Sequence, residues 1–529
     1  MIYLVKFTYK RMNQMIRYTK AVAALLAFTL LTPECAFAKS QSKINAGMDY
    51  RRSVIEKPEL KLYVRTWAPE YPYYGAKFEP RAGIYIGTPY NKPYPGIDNA
   101  INTEYNWFVP SDEIRNEVYP RIELAEVPSD HSRLRGINLN FALKNSRVIN
   151  IRDYFHWLYN LIDQYAALGE DILLIFGKEM NIDENFTDPE LFKDCFRFVA
   201  DYAHTKENIA MVWSPNDLGG LDTTFEEFWP GDEYVDWVGC SLYTMPYFQG
   251  KPKGPASGNY FFLMDNYAHP AIHAKMIHEF LVKNKIKKPV IITEGGVGYQ
   301  APDGTDYTAF AVRQLKHYYS DICRRYPEFK CIVSFNEYFE NGDLYRYDMS
   351  NNPVLLPLIQ ELTSDPIYIK TYPSSSQYSF LELFDGLVFK NRIDVSAYAY
   401  IPGVQNLVVR YLIDGMWVSE KTEPPYAISL DSSFVSYGEH KLAAEIYNGK
   451  KITNKISYKI NFVPGDPEPE VIEPEVIEPE VIEPEVIEPE VIEPEVIEPE
   501  VIEPEKPANK RTLSILRYNP FVWKREIFE

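Results

Sequence analysis

The chain has 529 residues, 46% hydrophobic and 15% aromatic, which is enough for two or three folded domains and a sizeable core. Its net charge of −19 overstates the acidity of the folded part, because Asp466 and sixteen glutamates crowd into residues 466–505 without a single base. What remains is mildly acidic and has no basic stripe, so nucleic acid is excluded as an expected partner.

The N-terminus opens on basic residues (Lys10, Arg11, Arg17, Lys20), continues through an apolar run from Ala21 to Leu31, and reaches Ala36-Phe37-Ala38 before Lys39. That layout predicts a secretory signal peptide over residues 1–38, and its apolar run is too short to span a bilayer. A secreted, periplasmic or cell-surface protein with no integral membrane segment is expected. Export leaves Cys195, Cys240, Cys323 and Cys331, too few for a disulfide scaffold. No Cys or His spacing suggests a metal site, and neither metal nor cofactor is expected. Cys323 and Cys331 are near enough in sequence to pair in an oxidising compartment, while Cys240 reads as core.

Residues 60–370 alternate apolar runs with helical stretches. The runs are 83–87, 104–109, 121–127, 171–176, 208–213, 235–240, 289–293 and 331–335. Helices are predicted over stretches such as 151–168, 189–204, 269–284 and 307–326. Eight such alternations predict an α/β fold, a (β/α)8 TIM barrel. An open doubly wound sheet is the alternative, but no Gly-x-Gly-x-x-Gly follows the first run. On this count Glu179 ends the fourth strand and Glu294 the seventh. Barrels keep their chemistry just past the C-terminal ends of their strands, and two carboxylates are the minimum equipment for cleaving a glycosidic bond.

Residues 377–463 change to short apolar runs separated by Asp-Gly, Tyr-Gly and Asn-Gly turns, which predicts a small all-β, Ig-like sandwich. Trp417 there could bind carbohydrate, or the domain could be a passive spacer. From Pro469 to Glu503 the unit Pro-Glu-Val-Ile-Glu repeats seven times, and residues 466–505 are expected to be a disordered acidic stalk. The basic, aromatic tail 506–529 is either an unstructured end or a contact for an anionic cell surface.

Several blocks together resemble glycoside hydrolase family 26 over about residues 75–360. They are Phe176-Gly-Lys-Glu179-Met-Asn181, Val212-Trp-Ser-Pro-Asn216, Pro230-Gly-Asp-Glu-Tyr-Val-Asp-Trp-Val-Gly239 followed by Tyr243, and Ile292-Thr-Glu294. The resemblance implies a clan A (β/α)8 retaining enzyme. Most of that family are endo-β-1,4-mannanases, with some β-1,3-xylanases and mixed-linkage glucanases. It implies Glu179 as acid/base, Glu294 as nucleophile, Tyr243 as hydrogen-bond donor to Glu294, and Trp213 as the ring nearest the cleaved bond. Asn181, Lys178, Trp229 and Trp107 complete the expected substrate contacts. Tyr247, Phe248 and Tyr338 are further strand-end aromatics, Glu337 is an unplaced carboxylate nearby, and Asp236 and Trp237 read as structural.

Two positions depart from the family pattern. Lys178 stands where the family usually has histidine, and Ile182-Asp-Glu-Asn185 replaces its Gly-x-Trp. An ammonium close to Glu179 would lower that carboxyl's pKa, the reverse of what a general acid needs. Lys178 therefore points away, bonds the sugar, or weakens the acid. The expected function is a secreted, monomeric, retaining endo-β-glycanase whose partner is a β-linked polysaccharide, first of all β-1,4-mannan. The competing readings are a non-catalytic polysaccharide-binding or display barrel, or a hydrolase of β-1,3-xylan, mixed-linkage glucan or the cell's own exopolysaccharide.

Overall fold

The computed structural model describes residues 57–67, 72–108, 131–141, 155–182, 188–216, 223–246, 269–338, 345–404, 406–449 and 451–465. The predicted signal peptide and strand 121–127, Tyr247, Phe248, the acidic repeat and the basic tail lie outside these residues, as does the side chain of Trp107.

β1 (Glu59–Trp67) belongs to a sheet described below. The next eight strands close a parallel barrel, each bonded to the one that follows. They are β2 (Ile84–Pro89), β3 (Ile101–Phe108), β4 (Leu134–Phe141), β5 (Ile172–Phe176), β6 (Ile209–Trp213), β7 (Trp237–Thr244), β8 (Val290–Val297) and β9 (Phe329–Ser334). β9 returns to β2 through Tyr85↔Cys331 and Ile86↔Ile332, which completes the (β/α)8 cylinder. β10 (Tyr368–Ile369) adds a short pairing beside β2. The third place in the barrel is taken by β4, not by 121–127, since β4 bonds directly to both β3 and β5. Its sequence hid it: Arg135 and Asn138 interrupt the apolar run, and Arg135 is neutralised in the fold by Glu170 and Glu104.

Helices pack outside the cylinder: α1 (Phe155–Ala167), α2 (Pro189–Ala203), the single turn α3 (Phe225–Phe228), α4 (Pro270–Asn284), α5 (Thr308–Arg325) and α6 (Leu355–Leu362). α2 begins as its sequence dictates, with Pro189 in the first turn and the Asp188 carboxylate accepting from the amides of Glu190 and Leu191 at 3.0 and 3.1 Å. Strand alternation sorts the core into two. Leu173, Ile175, Ala210, Val212, Trp237, Ile291 and Val333 fill the barrel interior. Ile172, Leu174, Phe176, Met211, Trp213 and Ile292 meet the helices.

The C-terminal region forms two sheets, one of which recruits β1. The first runs β11 (Tyr378–Glu382), β1, β13 (Arg392–Tyr400), β16 (Ile428–Asp431). The second runs β12 (Leu387–Lys390), β18 (Lys451–Val463), β17 (Gly438–Asn448), β14 (Val408–Ile413), β15 (Met416–Lys421). The Asp414-Gly415 turn, with φ of 51° and 82°, closes the β14–β15 hairpin as its dipeptide suggests. The segment 60–67, expected in the barrel domain, is therefore part of the β-sandwich. Leu60, Leu62 and Val64 enter the sandwich core with Val395, Ala397, Tyr411 and Leu442. On the opposite face of the same sheet, Tyr63, Tyr398 and Tyr400 join the barrel's helical core. The sheet thus has both faces buried, and the sandwich is docked on the barrel rather than strung beside it. Arg313 and Lys316 of α5 bind Glu423 at 3.1 and 3.3 Å, and Arg324 reaches Ser396 Oγ at 2.8 Å.

Cys323 and Cys331 do not pair, because α5 carries Cys323 into the helical core while Cys331 lies in the barrel interior. Trp417 is exposed on β15. Among the described residues no helix is long and apolar enough to cross a membrane.

Candidate active site

Glu179 sits three residues beyond Phe176, where β5 has ended. Gly177 and Glu179 both adopt φ of 59°, a left-handed conformation uncommon for glutamate. The turn is pinned on both sides: the Gly177 amide donates to Leu139 O at 3.0 Å and the Glu179 amide to Ser214 O at 2.8 Å. Asn216 Nδ2 donates to Glu179 Oε1 at 2.9 Å. Asn181 in turn holds Asn216, exchanging two bonds of 2.7 Å with its backbone. Asn181, expected as a sugar contact, here positions the residue that positions Glu179.

Glu294 reaches the site through a register irregularity. Strict alternation from Ile291, which faces the barrel interior, would turn Glu294 outward. Instead the pairing slips: Cys240 opposes Ile292 and Ser241 opposes Glu294, which passes over Thr293. Such a slip re-aims the side chain that follows it. Thr293 is tied down by Ser214 Oγ at 2.7 Å and Cys240 O at 3.2 Å. Glu294 then receives three donors. Tyr243 Oη donates to its Oε1, while Tyr105 Oη and Lys178 Nζ both donate to its Oε2. Tyr243 is buttressed edge-on by Phe335 and Tyr347, at centroid distances of 5.8 and 5.0 Å.

Both carboxylates are buried, with Glu179 4% and Glu294 3% exposed. Glu179 is raised above the ordinary glutamate pKa, chiefly by burial and further by the charge of Glu294; Lys178, Asn216 and Ser241 pull it the other way without prevailing. Burial and the neighbouring Glu294 charge hold the Tyr105 and Tyr243 phenols well above their usual value, so both remain donors. The site therefore offers one carboxyl that keeps its proton longer than usual beside one carboxylate held by an ammonium and two phenols.

Tyr105 was not singled out from the sequence, although a signal existed. Ile101 faces the barrel interior, and period-two alternation carries Tyr105 to the same side at the strand's C-terminal end. Asn216 stood inside a quoted motif without a role. Two expected sugar contacts lie elsewhere. Trp213 is 0% exposed and packs among Trp229, Phe225 and Phe280, its Nε1 donating to Phe228 O at 3.0 Å. The alternation that turns Ala210 and Val212 inward turns Trp213 outward to the helices. Trp229 is half-buried against the edge of Trp213 and belongs to the same packing. Trp107 lies on β3, two residues past Tyr105.

Glu337 and Tyr338 follow β9 and line a polar cavity of about 420 Å³ together with Lys92, Asn336, Arg346 and Asp348. The Arg346 guanidinium lies 4.5 Å from the Tyr338 ring centroid, and the charge of Glu337 is felt at Tyr105. Asp236 is structural, accepting from the Met211 amide at 2.7 Å and contacting His204 Nε2 at 3.0 Å. Among the described residues, His269, His317 and Asp321 are close enough together to hold a metal ion, and they lie in the helix layer.

Residues 179–308, a span that takes in both glutamates, match the model of glycosyl hydrolase family 26. A β-1,3-xylanase of Alcaligenes sp. is 29% identical over 139 residues, which are 24% of this chain and 27% of the xylanase. The chain thus matches about a quarter of the length of that curated relative. Among solved structures, a modular endo-β-1,4-mannanase of Cellulomonas fimi overlays with a TM-score of 0.37 and 14% identity, covering 72% of this chain and 94% of that one. A β-mannanase of Bacteroides ovatus overlays with a TM-score of 0.36 and 14% identity, covering 55% and 90%. The barrel assignment rests on its own closed hydrogen-bond ladder. The family match covers the segment that carries both glutamates.

Proposed function

We propose that the protein is a retaining endo-β-glycanase acting first of all on β-1,4-mannan, exported by its N-terminal signal. The observation that carries this reading is the convergence of Tyr105, Tyr243 and Lys178 on Glu294, beside Glu179 with its raised pKa.

In the first step a Glu294 oxygen attacks the anomeric carbon while Glu179 passes its proton to the leaving glycosidic oxygen. The glycosyl–Glu294 ester is then hydrolysed by a water that Glu179, now ionised, deprotonates. The three donors hold the Glu294 carboxylate in place for attack, and they stabilise it again as the departing carboxylate in the second step. Lys178 thereby serves the nucleophile. Its pull on Glu179 is outweighed by burial, so Glu179 holds its proton to higher pH than an ordinary glutamate, the direction a general acid needs.

The β-1,3-xylanase relative favours a second substrate, β-1,3-xylan, through the same two glutamates. A panel of β-1,4-mannan, β-1,3-xylan and mixed-linkage glucan, read by reducing-sugar release, tests both readings. Fastest release from mannan is expected. Fastest release from xylan replaces the substrate assignment, and binding without release from any polymer replaces the enzyme reading by the non-catalytic one.

A further inference from the structure

We propose that His269, His317 and Asp321 form a buried structural site for one divalent transition-metal ion of the zinc class, set where the barrel's helices meet the β-sandwich. His269 caps the start of α4, while His317 and Asp321 stand one turn apart on the inner face of α5. One ligand atom from each lies within 4.8 Å of the others. Asp321 Oδ2 is 2.6 Å from His317 Nδ1 and 3.9 Å from His269 Nε2. Rings from the sandwich wall the site: Tyr400 and Tyr398 lie 5.4 and 6.3 Å from His269, and Tyr426 lies 6.4 Å from His317.

Two features call for a cation. His269 Nε2 is buried, aimed at Asp321, and has no hydrogen-bond partner among the described residues, an arrangement that leaves a polar atom's desolvation uncompensated. The Asp321 carboxylate is fully buried, and the hydrogen bonds of Arg324, a cation on the same helix, go to Ser396 Oγ and Ser320 O. Two imidazoles and a carboxylate suit zinc, cobalt or nickel rather than calcium or magnesium, and an ion bound by these three takes a fourth ligand to complete its tetrahedron. His273, one turn along α4 and also buried, is electrostatically coupled to His269.

Occupation asks for small changes. Ligand atoms around tetrahedral zinc sit roughly 3.4 Å apart, so the His317–Asp321 contact must open by less than about 1 Å. Coordination through Nε2 also moves the His269 ring proton to Nδ1 and gives up the 3.3 Å contact from the Ala271 amide.

The test uses the full chain, stripped with a chelator and titrated with Co²⁺ alone and then with Zn²⁺. The site predicts visible cobalt absorption saturating at one equivalent, its displacement by zinc, and a rise in Tm on the order of 5 °C with zinc in excess. His317→Gln and Asp321→Asn should each weaken cobalt binding at least 10-fold. Absence of the cobalt signal in the wild-type chain overturns the proposal, even if a variant fails to fold. Variants that shift Tm but bind cobalt as the wild type does also overturn it, and leave a hydrogen-bonded triad.

Discussion

The ammonium of Lys178 ion-pairs with Oε2 of Glu294, three strands further round the barrel, and not with Glu179, its neighbour in the chain. The left-handed turn at Gly177 and Glu179 makes this geometry: it sends the side chains of residues 178 and 179 to different partners. Lys178 still lowers the pKa of Glu179 at a distance, though less than burial raises it. Lys178→Met therefore has two separable effects. The nucleophile loses a charge-assisted donor, which lowers kcat by about 10- to 100-fold. Glu179 loses a nearby positive charge, so its pKa rises, it keeps its proton to higher pH, and the alkaline limb of the kcat profile moves upward. A pH–rate profile of the variant measures both, and an alkaline limb that moves downward contradicts the assignment.

Tyr105 and Tyr243 donate to different oxygens of one carboxylate. Each Tyr→Phe change is expected to lower kcat about 10-fold, in line with loss of a hydrogen bond to a charged group. Because both act on Glu294, the double variant should depart from additivity. Strictly additive losses would mean that one of the phenols serves the substrate instead.

Glu179→Gln removes the proton that the leaving group needs. Hydrolysis of polysaccharide should fall by roughly 10²- to 10⁴-fold. Aryl glycosides whose leaving phenol is already acidic need little protonation and should form the glycosyl–enzyme at near wild-type rate. Equal losses on both substrate types would assign Glu179 to binding.

The barrel was legible because a buried parallel strand is a short apolar run, and seven of the eight were found that way. β4 escaped because Arg135 and Asn138 are tolerated inside the fold by partners that no local pattern reveals. β1 escaped because its pairing partners, such as Ala397 and Ser379, lie more than 300 residues away. Both glutamates were legible as strand-end carboxylates. The side-chain directions around them were not, since they depend on a register slip at Thr293 and a positive φ at Glu179. Trp213 is the instructive error: its motif pointed to the sugar, but alternation within β6 points it into the core.

Trp213→Ala is accordingly expected to act on stability. Removing a fully buried indole costs about 3–5 kcal/mol, readable as a lower urea midpoint, while KM of the folded fraction stays near the wild-type value. A variant of unchanged stability with a sharply raised KM would return Trp213 to the sugar site.

The most direct test of the account is reducing-sugar release from the β-glycan panel by the wild-type chain and by Glu294→Ala. Release by the wild type is expected, with a loss of at least about 10³-fold in the variant, which has no nucleophile to form the glycosyl ester. Equal release by both proteins, or release by neither, contradicts it.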